Sequence, residues 1–256
     1  MIVDGVELET RWFGEARAGE RNATGDPVPR ALVFLHEGLG SIAQWRDTPE
    51  TIARLTGLPA FVYARQGYGQ SAPVTVPRPL TYMHDEARRL PRVLAAAGIA
   101  RPILVGHSDG ASIAIIAAGA GHVAAEKLVL IAPHVFVEDV SVASIARAAE
   151  QYPELRPRLA KYHADVDGAF WGWNRAWLDP AFRAWNLEAF LPAITVPVLV
   201  LQGTADEYGT AAQVLAIARQ LGGPCEVELV DGAGHAPFRD APDRVHARIA
   251  AFITGS

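Results

Sequence analysis

The chain has 256 residues, of which 50% are hydrophobic and 20% are charged, and its formal net charge is -5. This length and composition suit one large globular domain and exclude a disordered or fibrous chain. The acidic balance offers no basic face for nucleic acid or for an anionic membrane surface, so a small neutral or modestly polar molecule is the expected partner.

Cysteine content and the first residues indicate the compartment. Cys225 is the only cysteine, which excludes an intramolecular disulfide and a multi-cysteine metal site and fits a reducing, cytoplasmic location. The stretch MIVDGVELETRWFG alternates polar and apolar residues and predicts a strand rather than a signal peptide. No apolar run reaches the roughly 18 residues that span a bilayer. The sequon Asn22-Ala23-Thr24 is therefore interpreted as a chance match.

Short runs rich in Val, Ile and Leu alternate with longer segments that carry apolar residues at helical spacing. The runs begin at positions 31, 60, 102, 127, 196 and 226, and continuous apolar runs of this kind are typical of strands buried on both faces. Their alternation with amphipathic segments predicts an α/β fold, with a mostly parallel central sheet flanked by helices. The alternating N-terminal stretch adds an antiparallel edge.

The interval between Pro133 and Thr195 interrupts this rhythm. It has no long strand-like run and is rich in aromatic residues, which argues against disorder. We interpret residues 134–194 as a small helical lid inserted into a core domain formed by residues 1–133 and 195–256. Its large aromatic residues are Phe170, Trp171, Trp173, Trp177, Phe182 and Trp185.

The stretch GHSDGAS, residues 106–112, follows a predicted strand and opens a predicted helix. In that context the pattern G-x-S-x-G forms a nucleophile elbow, a sharp turn that projects the serine hydroxyl above the sheet. The alternative is a serine that caps its helix. A serine nucleophile needs a base oriented by a third group, and two later loops supply candidates. Asp206 and His235 each follow a predicted strand, so they share the carboxyl edge of the sheet with Ser108.

With these motifs the sequence resembles the α/β-hydrolase superfamily over nearly its whole length. The resemblance is carried by LHEGLGS, ARQGYGQS, GHSDGAS, QGTADEY and GAGHAPF in this order. It implies a catalytic triad of Ser108 as nucleophile, His235 as base and Asp206 as orienting acid. It also implies an oxyanion hole built from the backbone N–H of Asp109 and of a residue in the first loop. Gly38 is the expected second donor, although Glu37 stands where the family commonly has glycine.

Several other residues have competing interpretations. Glu207, or Glu138 and Asp139 after the sixth strand, are alternatives to Asp206, while Asp231 is assigned to a turn. His36 and Arg65 are expected to organise loops, and His107 to support the elbow. The Asp109 side chain either touches the pocket or faces another helix. His163 and Asp165 lack a third ligand at a recognisable spacing, so no metal or other cofactor is predicted.

The pocket is expected to be apolar, with Glu37, Trp171, Trp173 and Trp177 as candidate lining residues. The resemblance implies a serine hydrolase that cleaves small carboxylic esters, similar to carboxylesterases. A carbon–carbon bond hydrolase of the aromatic-degradation type or a perhydrolase is an alternative within enzymes. A ligand-binding sensor with slow or no turnover is the alternative of another class. A nucleophilic aspartate would have indicated dehalogenase or epoxide hydrolase chemistry, but position 108 is serine.

Overall fold

The structure, a computed structural model, describes residues 1–14 and 30–255. The sequon at Asn22 lies outside these described residues. The strands are β1 (Ile2–Val3), β2 (Val6–Glu7), β3 (Thr10–Phe13), β4 (Ala31–Leu35), β5 (Ala60–Tyr63), β6 (Pro102–His107), β7 (Lys127–Ile131), β8 (Val198–Gly203) and β9 (Cys225–Val230). The α-helices are α1 (Thr48–Thr56), α2 (Tyr82–Ala97), α3 (Asp109–Gly119), α4 (Asp139–Glu150), α5 (Tyr152–Leu159), α6 (Val166–Leu178), α7 (Ala211–Gln220), α8 (Pro237–Asp240) and α9 (Pro242–Thr254).

The predicted mostly parallel sheet is confirmed. Seven strands pair in the order β3-β5-β4-β6-β7-β8-β9, and β3 alone runs antiparallel, against β5. The neighbouring pairs from β5 to β9 are all parallel. The first two strands form a separate antiparallel pair, so the alternating N-terminal stretch does form an antiparallel edge. All strands from β4 to β9 therefore end at one edge of the sheet.

Each central strand is buried on both faces because its side chains alternate between two hydrophobic clusters. In β4, Val33 and Leu35 join the cluster that contains α2, α3 and α7, whereas Leu32 and Phe34 join the cluster that contains α1 and α9. Continuous burial on both faces explains why these strands have unbroken apolar sequences. Within the described ranges, no helix combines the length and the apolar character that crossing a bilayer requires.

Residues 134–194, which we call the inserted segment, lie between β7 and β8. They form α4, α5, α6 and two 3-10 helices, at Pro180–Ala184 and Glu188–Ala193. An isolated antiparallel β-bridge within this segment pairs Phe136 with Asn186. Aromatic side chains hold its helices together: Trp177 packs against Phe182 with ring centroids 5.1 Å apart. Rings of this size bury much apolar area, which accounts for order in a segment without strands.

The turn between β6 and α3 has little room for side chains. Ser108 adopts φ 52° and ψ -118°, a left-handed conformation that is costly for a residue other than glycine. A Cβ atom at Gly106 would lie 2.6 Å from the backbone nitrogen of Ala111, and one at Gly110 would overlap the carbonyl oxygen of Leu35. The two glycines of the G-x-S-x-G pattern are thus required by close approach of the main chain.

We expect Gly106→Ala to lower the free energy of unfolding by about 2 kcal/mol or more, because the added methyl must displace main-chain atoms. Urea denaturation measures this change. Gly121→Ala is the matched control, since Gly121 has φ +70° but nothing within 4 Å of its Cβ position. That control should cost only the left-handed backbone penalty of about 1 kcal/mol. Equal losses for the two variants would contradict the packing argument.

Candidate active site

Ser108 lies between β6 and α3, at the carboxyl edge of the sheet, and borders a cavity. Its backbone N–H donates to the carbonyl of Ile131 at 2.9 Å, which ties the turn to the neighbouring strand β7. Ser108 stands at the N-cap position of α3, and its carbonyl accepts from the backbone N–H of Ser112 at 3.0 Å. Its side chain makes no capping bond to α3, and the residue borders the cavity.

Asp206 and His235 come together at the ends of β8 and β9. Both carboxylate oxygens of Asp206 lie 2.9 Å from Nδ1 of His235. Since a carboxylate only accepts hydrogen bonds, Nδ1 carries a proton and Nε2 remains free to act as a base. Burial by itself would raise the pKa of Asp206, but its hydrogen bond and charge interaction with His235 lower that pKa below its usual value. Asp206 therefore stays ionised beside the imidazole.

Ser108 and His235 border the same cavity, which has a volume of about 380 Å³. No hydrogen bond joins the Ser108 hydroxyl to His235 in the described chain, a looseness that is common in the absence of substrate. The lining residues come from β6, from the loops that follow β4, β6, β7, β8 and β9, and from α3, α4, α6 and α8. They are Glu37, Gly38, Leu39, His107, Ser108, Asp109, His134, Ser141, Ile145, Trp173, Trp177, Glu207, Tyr208, Gly234, His235, Ala236, Arg239 and Asp240.

The loop after β4 is held by buried polar side chains. Arg65 donates its backbone N–H to Nε2 of His36 at 3.0 Å, so His36 carries its proton on Nδ1 and donates it to the carbonyl of Glu37 at 2.7 Å. The Arg65 guanidinium donates to the carbonyls of His36 and Glu37 as well. His36 and Arg65 thus have the organising positions expected for them.

The backbone N–H groups of Glu37, Gly38 and Asp109, which border the cavity near Ser108, have no acceptor among the described residues. Unpaired amides beside a candidate nucleophile are suited to binding the negative oxygen that forms during acyl transfer. Gly38 has a further constraint, since a Cβ atom there would overlap the indole of Trp173.

Comparison with known proteins identifies the family. The model of the alpha/beta hydrolase family matches residues 32–248, well over half of the chain. The chain belongs to this family. Two solved α/β-hydrolase folds cover 98% of it: a carboxylesterase from Nitrososphaera gargenis, with TM-score 0.74, 16% identity and 97% of that chain covered, and the enol-lactonase from Burkholderia xenovorans, with TM-score 0.71, 21% identity and 98% covered. At 16% and 21% identity, the similarity to these two structures shows that the chain shares their fold.

Two curated relatives are also similar to this hydrolase. Epoxide hydrolase A of Mycobacterium tuberculosis is 36% identical over 81 residues, which are 31% of this chain and 25% of that protein. The chain therefore matches only a quarter of the length of that relative. The monoglyceride lipase homolog of Monkeypox virus is 23% identical over 227 residues, covering 81% of this chain and 82% of the relative.

Asp109, next to the candidate nucleophile in this α/β hydrolase, joins the core to the inserted segment. Its carboxylate accepts a 2.5 Å hydrogen bond from the hydroxyl of Tyr82 in α2 and a 3.3 Å bond from Nε1 of Trp177 in α6. Burial raises the pKa of Asp109, although Arg65 and these two donors oppose that rise. Both sequence interpretations hold in part, because the side chain faces a helix and also borders the cavity.

Of the three predicted pocket tryptophans, Trp173 and Trp177 line this cavity and Trp171 does not. Trp173 and Trp177 are four residues apart in α6 and share one helix face. Trp171 points elsewhere: its ring packs 4.8 Å from that of Tyr152, and Arg175 lies over it. The helical period separates Trp171 from Trp173 by about 200°, so no helix could place all three rings in one pocket.

The alternative acids have other partners. Glu138 accepts hydrogen bonds from Thr210 and Gln213, and Asp139 pairs with Arg183. Glu207 is exposed and borders the cavity without bonding to His235. Asp231 accepts a 3.2 Å bond from the hydroxyl of Thr204 in a turn.

The histidine and aspartate considered as metal ligands are engaged in structural bonds. His163 accepts from the backbone N–H of Gly69 and lies 2.9 Å from the carbonyl of Leu39. Asp165 caps α6 by accepting from the N–H of Gly168. Both residues therefore fasten the inserted segment and its helix in place.

Sequence reasoning missed His134, which lines the cavity with its ring centroid 5.6 Å from that of His235. Its Nε2 donates to the carbonyl of Tyr208 at 3.1 Å. Burial first, and then the charge of His235, lower the pKa of His134 to about 4. The residue lies in the loop that follows β7, so the strand-end rule that located Asp206 and His235 could have located it.

His134 should make this hydrolase sensitive to acid. The unfolded chain binds a proton at this histidine below about pH 6.5, whereas the folded protein resists protonation until about pH 4, so stability falls as the pH drops between these values. A difference of this size corresponds to about 3 kcal/mol. Denaturation of His134→Gln at pH 7 and pH 4 should show a smaller loss than in the unsubstituted protein. The same substitution at exposed His122 is the control and should leave the loss unchanged.

Proposed function

We propose that this protein is a serine hydrolase that cleaves small carboxylic esters through an acyl-enzyme. The observation that carries the proposal is the convergence at one cavity of a strained Ser108 turn and an Asp206–His235 pair with the base nitrogen free. The carboxylesterase, enol-lactonase and monoglyceride lipase homolog among similar proteins support an ester or lactone bond as the target. A small-molecule substrate in the cytoplasm fits the acidic charge and the lone Cys225.

In the proposed reaction, Nε2 of His235 takes the proton of the Ser108 hydroxyl as its oxygen attacks the ester carbonyl. Asp206 stabilises the imidazolium that results. The negative oxygen receives hydrogen bonds from the N–H of Asp109 and from Gly38 or Glu37. The bond to the alcohol oxygen then breaks, and His235 gives its proton to the departing alcohol. Water, activated by the same histidine, releases the carboxylic acid and restores Ser108.

Ser108→Ala should abolish sustained hydrolysis of p-nitrophenyl esters, because no hydroxyl remains to form the acyl-enzyme. Rates are followed over many turnovers with acyl chains of increasing length. Ser112→Ala is a matched control: this hydroxyl bonds the carbonyl of His134 and does not border the cavity, so most turnover should remain. Full activity of Ser108→Ala would refute the assignment. Folded protein without turnover, or with only one stoichiometric burst, would redirect the search to carbon–carbon bond cleavage or ligand binding.

We further propose that α4, α5 and α6 act as a lid that sets the size of the substrate. Trp173→Phe should enlarge the cavity and lower the KM for longer acyl chains relative to acetate, because a smaller ring leaves space next to Gly38. Trp171→Phe is a matched control in the same helix, outside the cavity. A chain-length profile unchanged by Trp173→Phe, or changed equally by both substitutions, would contradict this role.

A further inference from the structure

Glu37 departs from the family pattern, and the structure shows a carboxylate built into the loop that carries the candidate oxyanion donors. The loop makes space for it, since a Cβ atom at Gly40 would overlap Oε2 of Glu37. The carboxylate lies 3.4 Å from Nδ1 of His107 and 3.2 Å from Nη2 of Arg239. Burial would raise the pKa of Glu37, but interactions with His107 and Arg239 hold it well below its usual range. Glu37 is therefore a charged group beside the reaction site.

The His107 ring lies between Glu37 and the loop of His235. Its Nε2 lies 2.8 Å from the carbonyl oxygen of His235, and a carbonyl accepts only, so Nε2 carries a proton and donates it. Nδ1 on the other side of the ring faces the Glu37 carboxylate at 3.4 Å. The ring therefore bridges the Glu37 carboxylate and the main chain of His235.

This cluster connects the three segments on which the proposed reaction depends. Glu37 belongs to the loop after β4, His107 is the residue before Ser108, and the His107 ring holds the main chain of His235. Arg239, four residues beyond His235, bonds both to Glu37 and to the carbonyl of Gln44. These contacts join residues that are distant in sequence, and the side chains that make them are buried or half-buried.

We propose that Glu37 is a positioning residue that orients the His107 ring, and that these two residues, with Arg239, fix the His235 loop over Ser108. The inference rests on the proposed serine hydrolase function. The Arg239 guanidinium balances the Glu37 carboxylate, which offsets the repulsion that Glu37 would otherwise exert on an oxyanion formed beside it. Glu37 therefore connects the loops without adding net negative charge to the site.

The test compares Glu37→Leu with Glu37→Gln on a p-nitrophenyl ester. Glu37→Leu should lower kcat by about 10-fold to 100-fold with KM within about twofold, because a displaced His235 slows proton transfer more than binding. Glu37→Gln should recover most of kcat, since an amide can donate to Nδ1 of His107 and accept from Arg239. Unchanged kcat in Glu37→Leu, or equal losses in both variants, would overturn the positioning role.

A second measurement needs no substrate. In protein labelled with ¹⁵N-histidine, nuclear magnetic resonance should show shifted ring signals of His235 in Glu37→Leu, because the loop that carries this ring is displaced, and signals close to those of the unsubstituted chain in Glu37→Gln. His235 signals that are unchanged in Glu37→Leu would overturn the positioning role.

The two proposals fail in different ways. If Ser108→Ala retains turnover, the serine mechanism fails, while the resonance measurement still decides whether Glu37 positions the loop of His235. If Ser108→Ala is inactive and Glu37→Leu turns over like the unsubstituted enzyme, the serine mechanism stands and the positioning role is overturned.

Discussion

The backbone conformation of Ser108 is the constraint on which the rest of the site depends. A left-handed residue between β6 and α3 costs energy, and it persists because close main-chain packing around it leaves no alternative. The N–H of Ser108 is tied to β7, and the glycines on either side admit neighbouring main chain. This turn places the serine at the carboxyl edge of a parallel sheet, where the loops carrying Asp206 and His235 also emerge.

Buried polar groups determine the precision of the loops at that edge. A buried donor or acceptor without a partner costs free energy, so each bond that satisfies one also restricts the segment that carries it. His36 and Arg65 restrict the loop after β4 in this way, and His107 restricts the loop of His235. The site is therefore held by polar contacts between loops, while the apolar clusters hold the sheet and helices beneath it.

The inserted segment contributes to both stability and the cavity. The indole of Trp177 borders the cavity, packs on Phe182 and donates to the Asp109 carboxylate beside Ser108. Because one side chain serves all three contacts, the position of α6 over the sheet is coupled to the turn at Ser108. The neighbouring Trp173 covers Gly38 from the same helix face, which brings the wall of the cavity onto the loop with the free N–H groups.

The sequence alone determined the sheet, the parallel direction of its strands and the order of the candidate residues along the chain. The periodicity of apolar residues and the spacing of glycines are local properties, so they can be recognised before the tertiary structure is known. The strands beginning at Ala31 and Lys127 and the elbow around Ser108 were predictable for this reason. Tertiary structure decided which side chains face the cavity. Trp173 and Trp177 border the cavity while Trp171 does not, and the partners of Glu37 are a histidine 70 residues away and an arginine 202 residues away. These depend on which face of α6 packs inward and on contacts between distant segments, and neither is encoded in local spacing.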